Sequence, residues 1–173
     1  MPAALASVIP VMADASAALP PEPKHVLRVA IVYQDELTRR WADEQWSRVE
    51  QLAEHGSIQC RTWGINQLAQ DGEFVHAVRA ASDADVLVIA VRDTGELPLF
   101  LHVWIDAWIP LRCGREGALL AILGIPAQPD AQTGDTRHYL ETVARRVGME
   151  YLPRERTLPG RPRPPTRRRK TRG

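Results

Sequence analysis

The sequence predicts an α/β domain in which a five-stranded parallel sheet carries helices on both faces. Two observations lead to this fold class. Apolar, β-branched runs of strand length alternate with amphipathic stretches of helical length, and this alternation is typical of parallel strands connected by helices. The strongest strand runs are apolar without interruption, which indicates strands that are covered on both faces. Because crossover connections are right-handed, few other topologies are compatible with this order of elements.

Five segments predict the strands. Residues 26–33 (VLRVAIVY) and 84–91 (ADVLVIAV) are the most apolar and belong in the centre of the sheet. Residues 57–62 are more polar and are expected nearer an edge. Residues 118–123 and the short segment 149–152 complete the sheet.

Four stretches between these strands predict helices, because their apolar residues recur with helical spacing. They cover residues 36–55, 73–82, 99–109 and 137–147. Gly148 follows the last of them, at the position where a glycine commonly ends a helix.

Charge and proline divide the chain into three parts. The last 20 residues, 154–173, carry a net charge of +8, and the other 153 carry −7, although the whole chain has only +1. Five of the 14 prolines lie within residues 1–23 and five within 153–173. Segments of this composition do not form a packed core. The sequence therefore predicts a flexible N-terminal arm at 1–24, an acidic domain at 25–153 and a disordered Arg/Pro-rich basic tail at 154–173.

Composition also excludes several classes of protein. The cysteines, Cys60 and Cys113, do not have the spacing of a disulfide framework or a structural zinc site. The longest apolar run, 117–125, is too short to span a membrane. The N-terminus lacks the basic region of a signal peptide, so we expect a cytoplasmic protein that does not bind membranes.

The third strand and the helix that follows it resemble those of flavodoxin-like NAD(P)H-dependent FMN reductases. In that family an apolar strand leads into a flavin loop of the type Pro-x-Tyr-Asn, then a proline and a helix of the type Leu-Lys-Asn-Ala-Ile-Asp-Trp. The residues that match this pattern are Pro98, Leu101, Ile105 and Asp106. The resemblance covers residues 84–108 in identity and about 26–153 in architecture. It implies a flavodoxin-like three-layer sandwich with the strand order 2-1-3-4-5.

The same resemblance implies where FMN would bind, and this sequence departs from the family there. The family has a Gly-Ser-x-Arg-like phosphate loop after the first strand, whereas residues 33–40 (YQDELTRR) contain no glycine and place Asp35 and Glu36 at that position. In the second loop Asp93 replaces the tyrosine that stacks on the flavin, and Thr94 stands at the asparagine. We therefore expect no cofactor. If FMN is nevertheless retained, the candidate binding residues are Arg92, Asp93, Thr94, Gly95 and Arg39.

The acidic residues of these loops permit a second interpretation. Asp35, Glu36 and Asp93 follow neighbouring strands, and three converging carboxylates are suitable ligands for Mg²⁺. The arrangement resembles the acidic site of response-regulator receiver domains, but the domain has no lysine beyond its last strand to hold a phosphoryl group. Alternatively, these acids are exposed residues stabilised by the dipoles of the helices that follow.

The predicted helix at 99–109 is apolar on almost every side, with only His102 and Asp106 polar. A helix of this kind must be covered on all sides. Trp104 and Trp108 are four residues apart and share a face, and tryptophan is enriched in protein interfaces. We expect a homodimer whose interface includes Leu101, Trp104, Ile105 and Trp108.

Three functions remain open, and no residue is assigned a catalytic role. The preferred one is a flavodoxin-like module that has lost its flavin site and acts by self-association or by binding an unknown protein partner. The alternatives are a divergent NAD(P)H-dependent FMN reductase-like oxidoreductase and a nucleic-acid-associated protein that binds through the basic tail 154–173.

Overall fold

The computed structural model describes residues 26–52, 58–112, 114–128 and 131–159. The elements follow the order β1 (Leu27–Tyr33), α1 (Glu36–Leu52), β2 (Ile58–Gly64), α2 (Asp71–Asp83), β3 (Val86–Arg92), α3 (Leu99–Trp108), β4 (Ala118–Ile125), α4 (Asp135–Val147) and β5 (Glu150–Thr157). Short 3-10 helices occupy Ile65–Ala69 and Ile109–Leu111. All four strand pairings are parallel and the order is β2-β1-β3-β4-β5, which confirms the predicted sheet.

Two apolar clusters lie on opposite faces of the sheet. The larger combines side chains of α2, α3 and α4 with alternate residues of β1, β3 and β4. The smaller is formed with α1, chiefly through Trp41 and Ala42, which pack with Val29, Ile31 and Val88. The alternation of strand side chains between the two clusters explains the continuous apolar runs in the sequence.

Helix α3 lies in the larger cluster and shows that the predicted dimer interface was wrong. Leu101, Trp104, Ile105 and Trp108 are all 0% exposed within a single chain. The two indole rings meet edge to face, with centroids 6.0 Å apart. Trp104 and Trp108 do share one face of α3, as predicted. That face contacts the core, together with side chains of α2 and α4.

Strand β5 corrects the predicted end of the domain. It continues to Thr157, with Arg154 opposite Ile122 and Thr157 opposite Ile125. The boundary predicted between residues 153 and 154 was therefore wrong, because charged side chains are compatible with an edge strand when they project to solvent. Arg156 lies 2.7 Å from Glu44 of α1.

Several predictions lie outside the described residues. They concern the N-terminal arm at 1–24, most of the basic tail from residue 160 onward, and the end of the first predicted helix at 53–55. Among the described residues, no helix is both long enough and apolar enough to cross a membrane.

Candidate functional site

The candidate site is the carboxyl edge of the sheet, where the loops after β1, β3 and β4 meet. In parallel α/β sheets, ligands bind beyond the carboxyl ends of the strands near the point where the strand order reverses. Here that point lies between β1 and β3, which are neighbours in the sheet although β2 separates them in the sequence.

The loop after β1 is closed by a reciprocal cap at the start of α1. The Asp35 carboxylate accepts a hydrogen bond from the Thr38 backbone N–H at 3.0 Å. In return the Thr38 hydroxyl accepts bonds from the backbone N–H groups of Asp35 at 2.9 Å and Gln34 at 3.1 Å. Thr38 is fully buried. The backbone N–H groups of Gln34 and Asp35 are thus already bonded within the loop.

A second interaction ties this loop to the end of β3. The Arg92 guanidinium donates to the Asp35 carboxylate at 2.6 Å, and the Arg92 backbone N–H donates to the Gln34 side-chain oxygen at 2.9 Å. Burial by itself raises the pKa of Asp35. The hydrogen bond from Thr38 and the positive charge of Arg92 outweigh burial, so the pKa lies below its ordinary value of 3.8. Asp35 is therefore ionised at neutral pH and is paired with Arg92 at a partly exposed position.

The other residues at the start of α1 form exposed pairs along the helix. Glu36 lies 3.7 Å from Arg39 and 3.6 Å from Arg40. Arg39 also lies 3.7 Å from Asp43, and its guanidinium sits 5.7 Å from the Tyr33 ring centre. The guanidinium of Arg39, a predicted flavin-binding residue, is thus shared among neighbours on α1 and β1.

Asp93, which follows β3, is fully buried and holds the loop after β4 in place. One oxygen of its carboxylate accepts the Gly134 backbone N–H at 2.9 Å, and its own N–H donates to the Gly124 carbonyl at 2.9 Å. The other carboxylate oxygen has no hydrogen-bond partner among the described residues, and neither does the buried hydroxyl of Thr136. The buried carboxylate of Asp93 therefore holds the loop after β4 through Gly134 and is not exposed at the surface.

Gly95 shows how closely these two loops approach each other. Its φ of +100° is favourable only for glycine, and a Cβ at this position would lie 2.5 Å from the Gln132 side-chain oxygen. Thr94, beside it, is exposed. Of the five predicted flavin-binding residues, the structure thus brings Arg92, Asp93, Thr94 and Gly95 to one edge of the sheet.

The predicted magnesium site was wrong. Asp35 is paired with Arg92, Glu36 points along the exposed side of α1, and Asp93 is bonded to Gly134. Within the part of the chain that the structure describes, no group of three potential metal ligands comes together.

Two interacting residues of this site were missed by the sequence analysis. Thr38 was not assigned to the site, although Asp-x-x-Thr is the spacing of a reciprocal helix cap. Arg92 was considered only as a ligand for a cofactor, and its ion pair with Asp35 spans 57 residues of sequence. No local pattern indicates a contact of that range.

Comparison with known proteins places the chain by its fold. Neither a protein-family model nor a curated protein matches the sequence. Among solved structures, the two-electron reduced flavodoxin of Megasphaera elsdenii is similar, with a TM-score of 0.50, 13% identity, and coverage of 75% of this chain and 84% of the other. The Trp repressor binding protein of Bacillus subtilis has a TM-score of 0.45 at 14% identity, covering 76% and 86%. The chain has a flavodoxin-like fold, and the predicted fold class is confirmed.

Proposed function

We propose that this protein is a flavodoxin-like module that associates with a second copy of itself through the outer side of α3 and does not use a flavin. The observation that carries the proposal is a row of large apolar side chains on that side of the helix. We call these residues the α3 row: Leu99, Phe100, Val103 and Leu111.

The members of the α3 row are all exposed, and they lie on α3 and on the short 3-10 helix that directly follows it. Their exposed fractions are 72%, 47%, 46% and 54%, in chain order. At about 1.5 Å per residue, the row extends over roughly 18 Å. Single exposed apolar residues are common on protein surfaces, and several on one short segment favour an interaction site.

The size of the row favours a weak dimer. Four half-exposed side chains of this type offer roughly 300–400 Å² of apolar surface, at the lower end of the largest patches on monomeric proteins. A stable interface takes about 800 Å² from each partner. The row provides about half of that, which favours a reversible dimer in the micromolar range. A two-fold arrangement brings each row against its own copy and needs no second kind of protein.

The loops at the carboxyl edge support the absence of flavin. Gln34 and Asp35 have no backbone N–H to offer a phosphate, because the Thr38 hydroxyl accepts from both. The carboxylates of Asp35 and Glu36 stand where the phosphate would lie, and each would repel it by about 1 kcal/mol in water at close range. The cations beside them are already engaged, since Arg92 is paired with Asp35, and Arg39 and Arg40 lie against Glu36. These residues do not fit a flavin phosphate.

Sedimentation velocity over the micromolar range tests the self-association. The variant carrying Phe100→Gln and Val103→Gln removes the centre of the α3 row. Val49→Gln is the matched control, since Val49 is 40% exposed on α1, across the sheet. We expect wild type and the control to shift from monomer to dimer as concentration rises, while the double variant stays monomeric with an unchanged circular dichroism spectrum. A double variant that dimerises like wild type would overturn the proposal.

Titration with FMN tests the second half of the proposal. Wild type should show no saturable binding at micromolar FMN. Asp35→Ser with Glu36→Gly removes both charges, and serine is as good a helix cap as aspartate. Affinity should therefore rise measurably in this variant, and it should not rise in Asp43→Ser, about two turns further along α1. Sub-micromolar affinity of wild type for FMN would contradict the account.

A further inference from the structure

A groove of about 440 Å³ lies between the edge strand β2 and helix α2. Its lining includes Arg28 near the start of β1, Arg61 of β2, and His76 and Arg79 of α2. We call these four residues the arginine groove. It is built on the amino-terminal half of β1 and the second half of α2, away from the loops of the candidate site.

Strand register and helix spacing direct these side chains to one place. Arg28 and Ala30 are two residues apart on β1 and share a face of the sheet, and Arg61 pairs directly with Ala30. Ala30 belongs to the core cluster on the α2 side, so both arginines emerge on that side. His76 and Arg79 are three residues apart, on one face of α2.

The guanidinium groups of the groove have no ion-pair partners among the described residues, which sets them apart from many other arginines of the chain. The arginines that pair with a carboxylate are Arg39, Arg40, Arg92, Arg115, Arg137, Arg145 and Arg156. The acids nearest the groove are already engaged. Asp83 lies 3.7 Å from Arg115, and Asp85 accepts the Arg28 backbone N–H at 2.8 Å.

Three arginines and one acid, Asp83, line this concavity. The arginines outnumber the acid and repel each other, and a bound anion relieves that repulsion. The groove lies on a domain whose sequence is otherwise acidic, with a net charge of −7 over residues 1–153. Guanidinium groups bind phosphate oxygens through paired, parallel hydrogen bonds. Ala80 supplies apolar lining beside the charges, and a volume of this size is typical of small-molecule sites.

We infer that the arginine groove binds a small ligand that carries a diphosphate group. Three arginines match the several oxygens of a diphosphate better than those of a single carboxylate, and the remaining volume accommodates the group attached to it. This site is separate from the α3 row, so the inference stands or falls independently of self-association.

Nuclear magnetic resonance titration of the full chain tests the inference, with inorganic pyrophosphate and ADP as probes. We expect saturable shifts of the backbone amides of Gln59, Arg61 and His76, which separate binding in the groove from binding to the basic residues beyond 159. Tighter binding of ADP would identify the diphosphate of a nucleoside as the ligand, and equal or weaker binding would identify free diphosphate. Absence of saturable shifts at these amides with either probe would overturn the inference.

Charge variants provide the matched comparison. Arg61→Gln and Arg79→Gln should each weaken binding about five- to tenfold, the range between an exposed ion pair and a charged hydrogen bond. Arg48→Gln, on exposed α1, removes the same charge elsewhere and should leave affinity unchanged. Asp83→Asn removes the acid that lines the groove and should tighten binding. If Arg48→Gln weakened binding of the probe as much as the groove variants do, the site would not be specific. The same conclusion would follow if an oligonucleotide displaced the probe equally from wild type and from the groove variants.

Discussion

Replacing Trp104 with alanine distinguishes the buried side of α3 from its exposed side. Trp104 is 0% exposed and contacts the edge of Trp108, so its removal leaves a large cavity in the core. Truncations of this type cost about 3–5 kcal/mol of the free energy of unfolding. The indole N–H has no hydrogen-bond partner among the described residues, and losing that buried group returns about 1–3 kcal/mol. We expect a net loss of about 2 kcal/mol, from the middle of each range.

Phe100→Ala on the same helix is the matched comparison. Phe100 is exposed, so its removal should change the free energy of unfolding by no more than about 0.5 kcal/mol. Urea unfolding followed by circular dichroism at a concentration below the dimer range measures both effects. With a slope of about 2 kcal/mol/M, Trp104→Ala should lower the midpoint by about 1 M, whereas Phe100→Ala should leave it nearly unchanged. Similar midpoints for the two variants would refute the assignment of Trp104 to the core.

Three further predictions concern stability. A chain that ends after Pro153 loses half of β5, so its melting temperature should lie well below that of a chain that ends after Pro159. Calorimetry measures both temperatures. Equal values would mean that the end of β5 contributes nothing to stability. The pKa of Asp35 is lower in the folded protein than its ordinary value of 3.8, so the ionised carboxylate stabilises the folded state above that pH. This contribution is lost as the pH falls through the folded pKa. The variant Asp35→Asn should therefore lose less stability in acid than wild type does. Burial raises the pKa of Tyr151 to about 12, so the stability of the folded protein should fall as the pH rises from 10. In an ultraviolet titration, the variant Tyr151→Phe should lack the phenol that ionises last in wild type.

Most of the fold could be predicted because its signals are local. The uninterrupted apolar runs of β1 and β3 indicate central strands, and their alternation with helical spacing indicates parallel connections. Gly148 ends α4 with a φ of +73°, as its position after the last apolar turn predicts. The end of β5 was missed because an edge strand exposes charged side chains such as Arg154 and Glu155, which resemble a disordered tail in sequence.

The site was harder to predict because its contacts are long-range. Asp93 binds Gly134 across 41 residues, and nothing near Asp93 in the sequence indicates a buried carboxylate. Arg112 is likewise buried, and it donates to the carbonyl of Ala81 at 3.1 Å. Helical spacing placed Trp104 and Trp108 correctly on one face of α3, but it does not specify whether that face contacts the core or lies at the surface.

Sedimentation equilibrium in the presence of FMN, recorded at both the protein and the flavin absorption bands, tests the central claim most directly. One experiment then reports the mass of the protein and the flavin that sediments with it. We predict a mass that rises from monomer toward dimer across the micromolar range, with flavin absorbance uniform along the cell. A constant monomer mass with flavin distributed like the protein would contradict the account.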